Sequence, residues 1–125
     1  MKIRNYSLNS VCLDRELSFN VVGHRGTPIL VFPTQDGQCD DYINFKMPES
    51  IAEWIDAGVV ELYCVGSVDR ESWSAQGDVS QRAEIQEQWF HHIVKEFYPR
   101  MMAINTIDNG SPVERLPLVT GNSMG

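Results

Sequence analysis

The last ten residues of the chain constrain its fold more than any other segment. Residues 116–120 form a short apolar run that leads directly into residues 121–125, whose sequence GNSMG is a G-x-S-x-G pattern. This pattern is typical of a sharp turn from a strand into a helix, in which the serine is strained and its hydroxyl is exposed above a sheet. The two glycines suit such a turn, because a side chain at either position would collide with neighbouring backbone. Ser123 is therefore a candidate nucleophile.

Composition limits the classes of partner. The chain has 125 residues, the size of one domain or of part of one. Its net charge of -7, with only ten Lys and Arg, argues against binding to nucleic acid or to anionic membrane surfaces. The N-terminus has two basic residues but no apolar run after them, so it predicts neither a signal peptide nor a membrane span. We expect a cytoplasmic location.

The three cysteines fit a reducing compartment, because their number is odd and they form no C-x-x-C pair. Cys12 and Cys64 lie in apolar runs and are expected to be buried structural thiols, whereas Cys39 lies in a polar loop and is expected to be more accessible. No H-E-x-x-H motif, cysteine quartet, carboxylate cluster or glycine-rich phosphate loop is present. The sequence therefore predicts no metal and no cofactor.

The hydrophobic pattern predicts strands and helices in alternation. Two antiparallel strands are expected in residues 3–21 around a turn at Asp14-Arg15, and residues 29–32 are continuously apolar, as in a central parallel strand. A helix over 49–57, with Ile51, Trp54 and Ile55 on its apolar face, and a strand over 59–65 follow. This order is typical of a βαβ unit in a parallel sheet.

The second half of the chain begins with an irregular segment over 70–79, which is expected to lie close to the site. Residues 80–98 have strong helical spacing, Ser80 is the expected N-cap, and Pro99 is expected to end or kink the helix. A turn at 109–112 then precedes the last strand. About five strands and two main helices are predicted in total.

Acyl transfer at Ser123 would need hydrogen-bond donors aimed at the oxygen that becomes negative, and backbone N–H groups are well suited to this role. The N–H of Met124, directly after the serine, is the first candidate donor. The second would come from the loop at 33–37, because sites in open α/β sheets lie beyond the carboxyl ends of the strands. Gln35 is preferred to Asp36, because an acidic side chain would oppose a developing oxyanion.

Other residues in the sequence are candidates for the wall of a pocket or for a general base. Asp36, Asp41, Asp69 and Trp73 are candidate pocket residues. Asp40, Asp41 and Asp69 lie in loops and could either shape a pocket or simply be solvated. The only histidines are those at positions 24, 91 and 92. For all three, a surface or capping role is favoured over that of a general base.

Four segments together resemble the esterase group of the α/β-hydrolases, which includes S-formylglutathione hydrolases, feruloyl esterases and mycolyltransferases. They are PILVFPTQDG at 28–37, DYINF at 41–45, SVDRESW at 67–73 and TGNSMG at 120–125. The resemblance implies an α/β-hydrolase-like three-layer sandwich and a hydrolase of carboxylic esters or thioesters that works through an acyl-enzyme. It also implies Ser123 as the nucleophile, with donors at Met124 and near Gln35.

In this family, the acid and the histidine of the triad follow the nucleophile in sequence. Residues 1–125 are therefore expected to be the N-terminal part of a single domain, truncated after the fifth strand at the nucleophile turn, and to be inactive alone. Two alternatives stay open. The chain could be a non-catalytic interaction module that forms homo-oligomers through the exposed edge of its last strand. The parent protein could also transfer acyl groups to an alcohol rather than to water.

Overall fold

The structure, a computed structural model, describes residues 1–114 and 116–121. Its strands are β1 Ile3–Ser10, β2 Arg15–Val22, β3 Thr27–Phe32, β4 Val60–Val65 and β5 Leu118–Gly121. Its α-helices are α1 Asp41–Asn44, α2 Ala52–Asp56, α3 Val79–His92 and α4 Tyr98–Asn109, with 3-10 turns at Pro48–Ile51 and Asp69–Glu71 and a π-helical turn at Ile93–Phe97.

The five strands form one mixed sheet in the order β1-β2-β4-β3-β5. The first two strands make an antiparallel hairpin, and β2 also pairs antiparallel with β4. The apolar strand β3 is central and runs parallel to β4 on one side and to β5 on the other. The prediction of an α/β fold with a central parallel strand over 29–32 is confirmed.

The sheet buries a hydrophobic cluster on each face, because side chains alternate along a strand. Tyr63 and Val65 point to the face covered by α3, the π-helical turn and α4, where they meet Ile93, Phe97 and Met101. Leu62 and Cys64 point to the opposite face, where they meet Ile55 of α2. Helices on both faces explain why these strands are continuously apolar.

Pro99 was expected to end or kink the long helix, and the structure shows that the helix does not end there. The helix passes through the π-helical turn, in which the Tyr98 N–H donates to the Ile93 carbonyl, and continues to Asn109. Pro99 is the second residue of α4 and directly follows the π-helical turn, so the irregular backbone lies where the proline lacks an N–H. The N-cap of α3 is Asp78 rather than Ser80, because its side chain accepts a hydrogen bond from the Ser80 N–H.

The helix predicted over 49–57 is a 3-10 turn followed by the short helix α2. Ile55 is fully buried, but Trp54 is 56% exposed and does not belong to the apolar face. The cysteines also differ from expectation in part. Cys64 is buried as predicted, whereas Cys39 is buried and Cys12 is only partly so. Cys39 is covered because its backbone carbonyl is drawn inward by a hydrogen bond from the buried Asn20 side chain.

A polar network ties the first strand to the last helix at the amino end of β4. Arg4 forms ion pairs with Glu61 and Asp108, and Glu61 also accepts hydrogen bonds from Tyr63 and Asn105. Burial raises the pKa of the Glu61 carboxyl. The network lies at the sheet edge opposite to the carboxyl ends of β3 and β4, so its role is to hold α4 against the sheet.

Candidate active site at the carboxyl ends of the central strands

Three strands end next to one another on the carboxyl side of the sheet. Phe32, the last residue of β3, pairs with Gly121, the last residue of β5. On the other side of β3, Val31 pairs with Cys64 near the end of β4. Because these strands are parallel, the segments that follow them leave the sheet at the same edge, which is where sites form in open α/β sheets.

The loop after β3 is a tight turn. The Gly37 N–H donates to the Thr34 carbonyl at 2.9 Å, and Asp36 has a left-handed backbone with φ of 57°. A Cβ at Gly37 would lie 2.6 Å from the Pro33 Cβ and 2.8 Å from the Thr34 oxygen, so only glycine fits here. The sequence pattern alone predicted a turn at 33–37, and the structure confirms it.

Asp69 joins this loop to the loop after β4. Its carboxylate accepts a hydrogen bond from the Asp36 N–H at 3.0 Å, and Asp69 is only 8% exposed. Ser67 adds a second connection, since its N–H and its hydroxyl both donate to the Gly37 carbonyl at 3.0 Å. The two loops therefore form one rigid floor, which the sequence could not reveal because their contact joins residues far apart in the chain.

The candidate donors in the loop differ in availability. The Asp36 N–H is engaged by Asp69, which supports the earlier preference for Gln35. For the Gln35 N–H, no acceptor is found among residues 1–114 and 116–121. The Gln35 side chain is exposed and donates from Nε2 to the Ser74 hydroxyl at 3.0 Å. Its role as an oxyanion donor stays a prediction.

Asp36 also has an unusual side chain. Its Oδ1 atom is buried and has no hydrogen-bond partner within the described part of the chain. An unpartnered buried carboxylate oxygen is costly, and such groups cluster where a site is completed by something else. Among the described residues of this loop, Asp36 therefore stands out because its side chain has a buried oxygen without a hydrogen bond.

Asp41 and Trp73 line two separate hollows. Asp41 Oδ2 accepts from the Gln38 N–H at 2.9 Å and borders a small cavity of about 190 Å³ together with Phe32 and Tyr42. Trp73 is 61% exposed and borders a wide groove of about 670 Å³ with Val79 and Arg82 of α3. Both residues thus line hollows at this edge, and their contact with a substrate stays a prediction.

Ser123 and Met124, the predicted nucleophile and first oxyanion donor, lie outside the described residues. The strand that leads to them is described up to Gly121.

The histidines fall into two groups. His24 is exposed in the turn before β3, and His91 is partly exposed and lies 3.6 Å from Glu87. His92 is only 4% exposed, so the surface role expected for it is wrong. It directly precedes the π-helical turn, and its Nδ1 lies 2.9 Å from Glu96 Oε1. The four-residue spacing of His92 and Glu96 on a helix was a signal that sequence reasoning missed.

Cys39 is poorly suited to be a nucleophile. Burial, together with the neighbouring Asp40 carboxylate, raises the pKa of its thiol to about 11, so that the thiol is protonated near neutral pH. Within residues 1–114 and 116–121, no three His, Cys, Asp or Glu side chains come together in a way that could hold a metal ion. In the same residues, no helix is both long and apolar enough to cross a membrane.

Known structures share this fold. An IroE-like serine hydrolase from Shewanella oneidensis aligns over 82% of this chain with a TM-score of 0.54 at 12% identity. An uncharacterised protein from Capnocytophaga ochracea aligns over 96% of the chain with a TM-score of 0.54, also at 12% identity. The fluorophosphonate-binding serine hydrolase FphF from Staphylococcus aureus aligns over 74% of this chain and 41% of its own length, with a TM-score of 0.45 at 12% identity. No family model and no curated protein matches the sequence.

The two matches with a TM-score of 0.54 support an α/β fold for the described residues. The chain spans 38% of the length of the Shewanella structure and 33% of that of the Capnocytophaga structure.

Proposed function

We propose that this chain is part of a serine hydrolase that cleaves carboxylic esters or thioesters through an acyl-enzyme, with Ser123 as the nucleophile. The observation that carries the proposal is the pairing of Gly121 with Phe32. Ser123 is two residues beyond Gly121, and two residues span at most roughly 7 Å. The proposal therefore sets Ser123 near the loop at 33–37.

That neighbourhood has properties that suit acyl transfer. The loop is held rigidly by its internal turn and by Asp69, so any donor on it is fixed before the reaction begins. In the proposed site, the N–H groups of Met124 and Gln35 stabilise the oxyanion. The Asp36 N–H already donates to Asp69, so it is not one of the oxyanion donors.

The described residues supply no evident general base for this serine. His24 is exposed in the turn before β3, at the end of the sheet opposite to the loop, and His92 is engaged by Glu96. The serine hydroxyl is a weak nucleophile unless a base removes its proton. We therefore propose that residues 1–125 alone have negligible esterase activity and that the histidine and acid of the triad are contributed from outside them.

The test is ester hydrolysis by the natural gene product and by its Ser123→Ala variant. Loss of the nucleophile of a triad lowers kcat by about 10⁴-fold or more, so the variant is expected to lose nearly all turnover of a p-nitrophenyl ester. Ser111→Ala is the matched control, because Ser111 is an exposed serine in the loop before β5. Equal turnover by the Ser123→Ala variant and the wild-type protein would overturn the proposal.

A second candidate function, association through the sheet edge, is favoured by the exposure of β5. Leu118 is 54% exposed and Val119 is 63% exposed, although they lie on opposite faces of the strand. One edge of β5 pairs with β3, and the other edge has no partner strand within the described part of the chain. An exposed edge with apolar side chains is a template for pairing with another strand.

A further inference from the structure

A partly buried carboxylate, that of Glu96, organises the turn of the first hairpin. Glu96 accepts hydrogen bonds from the Ser10 hydroxyl at 2.6 Å and from the Val11 N–H at 2.7 Å, and its Oε1 lies 2.9 Å from His92 Nδ1. Although its partial burial acts to raise the pKa, these hydrogen bonds lower the pKa of Glu96 to about 2. Glu96 is therefore ionised at neutral pH.

An ionised carboxylate beside Nδ1 determines how His92 can interact with anything else. It holds a proton on Nδ1, and in the neutral ring Nε2 is then a hydrogen-bond acceptor. No partner for Nε2 is found among residues 1–114 and 116–121. The His92 residue is only 4% exposed, yet its Nε2 atom is accessible, so this nitrogen can accept a hydrogen bond from a donor that enters beside it.

The backbone supports the same interpretation. The π-helical turn begins at Ile93, directly after His92, and contains Glu96. Single π-helical turns are rare and are frequently found at functional sites. Here the turn holds the two side chains together in a region that is otherwise hydrophobic, since Ile93 and Phe97 on either side of Glu96 belong to the core.

His92 also lines a cavity of about 210 Å³ between β2, β4 and α3. The walls combine apolar side chains, among them Phe19, Trp89 and Phe97, with polar residues such as Ser18 and Gln38. An apolar cavity of about 150 Å³ is large enough to hold a benzene ring. This cavity therefore has room for a single aromatic ring with one small polar substituent.

The negative charges around the cavity restrict which polar group the aromatic ring can carry. Glu16 also lines the cavity, the ionised Glu96 lies directly behind the imidazole, and the whole chain carries a net charge of -7. An anionic ligand would be repelled by these carboxylates. A neutral hydroxyl can instead donate its proton to Nε2, as the acceptor requires.

We propose that this cavity is a binding site for a small phenol, whose hydroxyl donates to His92 Nε2 and whose ring packs against Phe19, Trp89 and Phe97. The site lies on the β2 and β4 side of the sheet; it shares Ser67 with the floor of the candidate active site but does not use Ser123, Met124 or Gln35. The proposal is therefore independent of Ser123 and goes beyond the proposed hydrolase function.

The test is a titration of the ¹⁵N-labelled protein with phenol, benzene and benzoate, followed through the ring nitrogens of its three histidines by NMR. Phenol is expected to shift the Nε2 signal of His92 and to leave the signals of His24 and His91 unchanged. Benzene lacks the donor and is expected to bind about fivefold more weakly, which corresponds to one neutral hydrogen bond. Benzoate is expected not to bind.

Two variants separate the imidazole from the cavity. His92→Phe is expected to remove the preference for phenol over benzene, whereas His91→Phe, a change at the neighbouring and more exposed histidine, is expected to keep it. If His92→Phe does not fold, the comparison of phenol with benzene on the wild-type protein still decides. Equal affinities for the two, equal shifts at all three histidines, or no His92 shift at millimolar phenol would overturn the proposal.

Discussion

At the scale of single residues, the site depends on a few polar groups whose partners are distant in the chain. Asp69 shows this most clearly, because the bond from the Asp36 N–H connects loops that follow two different strands. Its acidic side chain was visible in the sequence, but its position as a link between loops was not. The polarity of a residue is local information, whereas its partner is decided by the fold.

Replacement of Asp69 by alanine should destabilise the protein. The Asp36 N–H would lose its acceptor in a partly buried loop, which costs about 1–3 kcal/mol in the free energy of unfolding. Asp69→Asn keeps an acceptor oxygen and should lose clearly less. Urea unfolding of both variants measures the difference, and equal losses would show that the hydrogen bond does not stabilise the loop.

Glu96 should give the protein a stability that depends on acidity. The pKa of Glu96 is about 2 in the folded protein, against 4.5 without its partners, so its contribution is complete above pH 4.5 and is lost as the pH falls toward 2. A difference of this size corresponds to roughly 3 kcal/mol. Glu96→Gln should therefore flatten the pH dependence of the free energy of unfolding between pH 5 and pH 2.

The control for this measurement is Glu87→Gln. Glu87 is on the same long helix, but its side chain is 72% exposed. Its replacement should leave the acid limb of the stability curve as steep as in the wild-type protein. A curve for Glu96→Gln with the same slope as that of Glu87→Gln would contradict the assignment.

At the scale of elements, local sequence identified most strands and helices but misplaced their ends. The long helix illustrates both. Its apolar spacing predicted the element correctly, but Pro99 indicated a break, and the π-helical turn that accommodates the proline has no signal in hydrophobic periodicity. The predicted N-cap was wrong by two positions. Asp78 and Ser80 are both good N-cap residues, and backbone geometry selects between them.

These two residues provide a matched test of the helix start. Asp78→Ala removes the side chain that accepts from the Ser80 N–H and should cost about 1 kcal/mol in the free energy of unfolding. Ser80→Ala should change it by less than about 0.5 kcal/mol, as is usual for exposed surface positions. Thermal or urea unfolding of the two variants measures these losses. A larger loss for Ser80→Ala than for Asp78→Ala would show that Ser80 is the N-cap.

At the scale of the whole molecule, the fold leaves β5 more exposed than the other parallel strands. β3 and β4 are covered by helices on both faces, whereas Leu118 and Val119 of β5 are largely open to solvent. Such a strand is suited to pairing with a further strand. Whether that partner is a second copy of the chain can be tested directly.

We expect residues 1–125 to associate with increasing concentration, as measured by light scattering after gel filtration. Val119→Lys should weaken this association, because a charge on an exposed edge strand opposes strand pairing. Ile107→Lys is the control, since Ile107 is 78% exposed on α4 and lies away from the β5 edge. A wild-type chain that stays monomeric at high concentration would contradict this expectation.

The sequence by itself determined the class of fold and the placement of the central strand. Runs such as residues 29–32, alternating with helical patterns, are produced by burial on both sides of a parallel sheet, and that cause acts on each segment locally. The G-x-S-x-G pattern likewise indicated the serine without reference to any other part of the chain.

The tertiary structure alone decided which distant residues meet. It joined Asp36 to Asp69, buried His92 beside Glu96 and a cavity, covered Cys39, and set Gly121 beside Phe32. None of these contacts has a local signature, because each depends on the register of strands and on the packing of a helix against the sheet. Periodicity reports how much of a segment is buried, and only the folded chain specifies what each buried group touches.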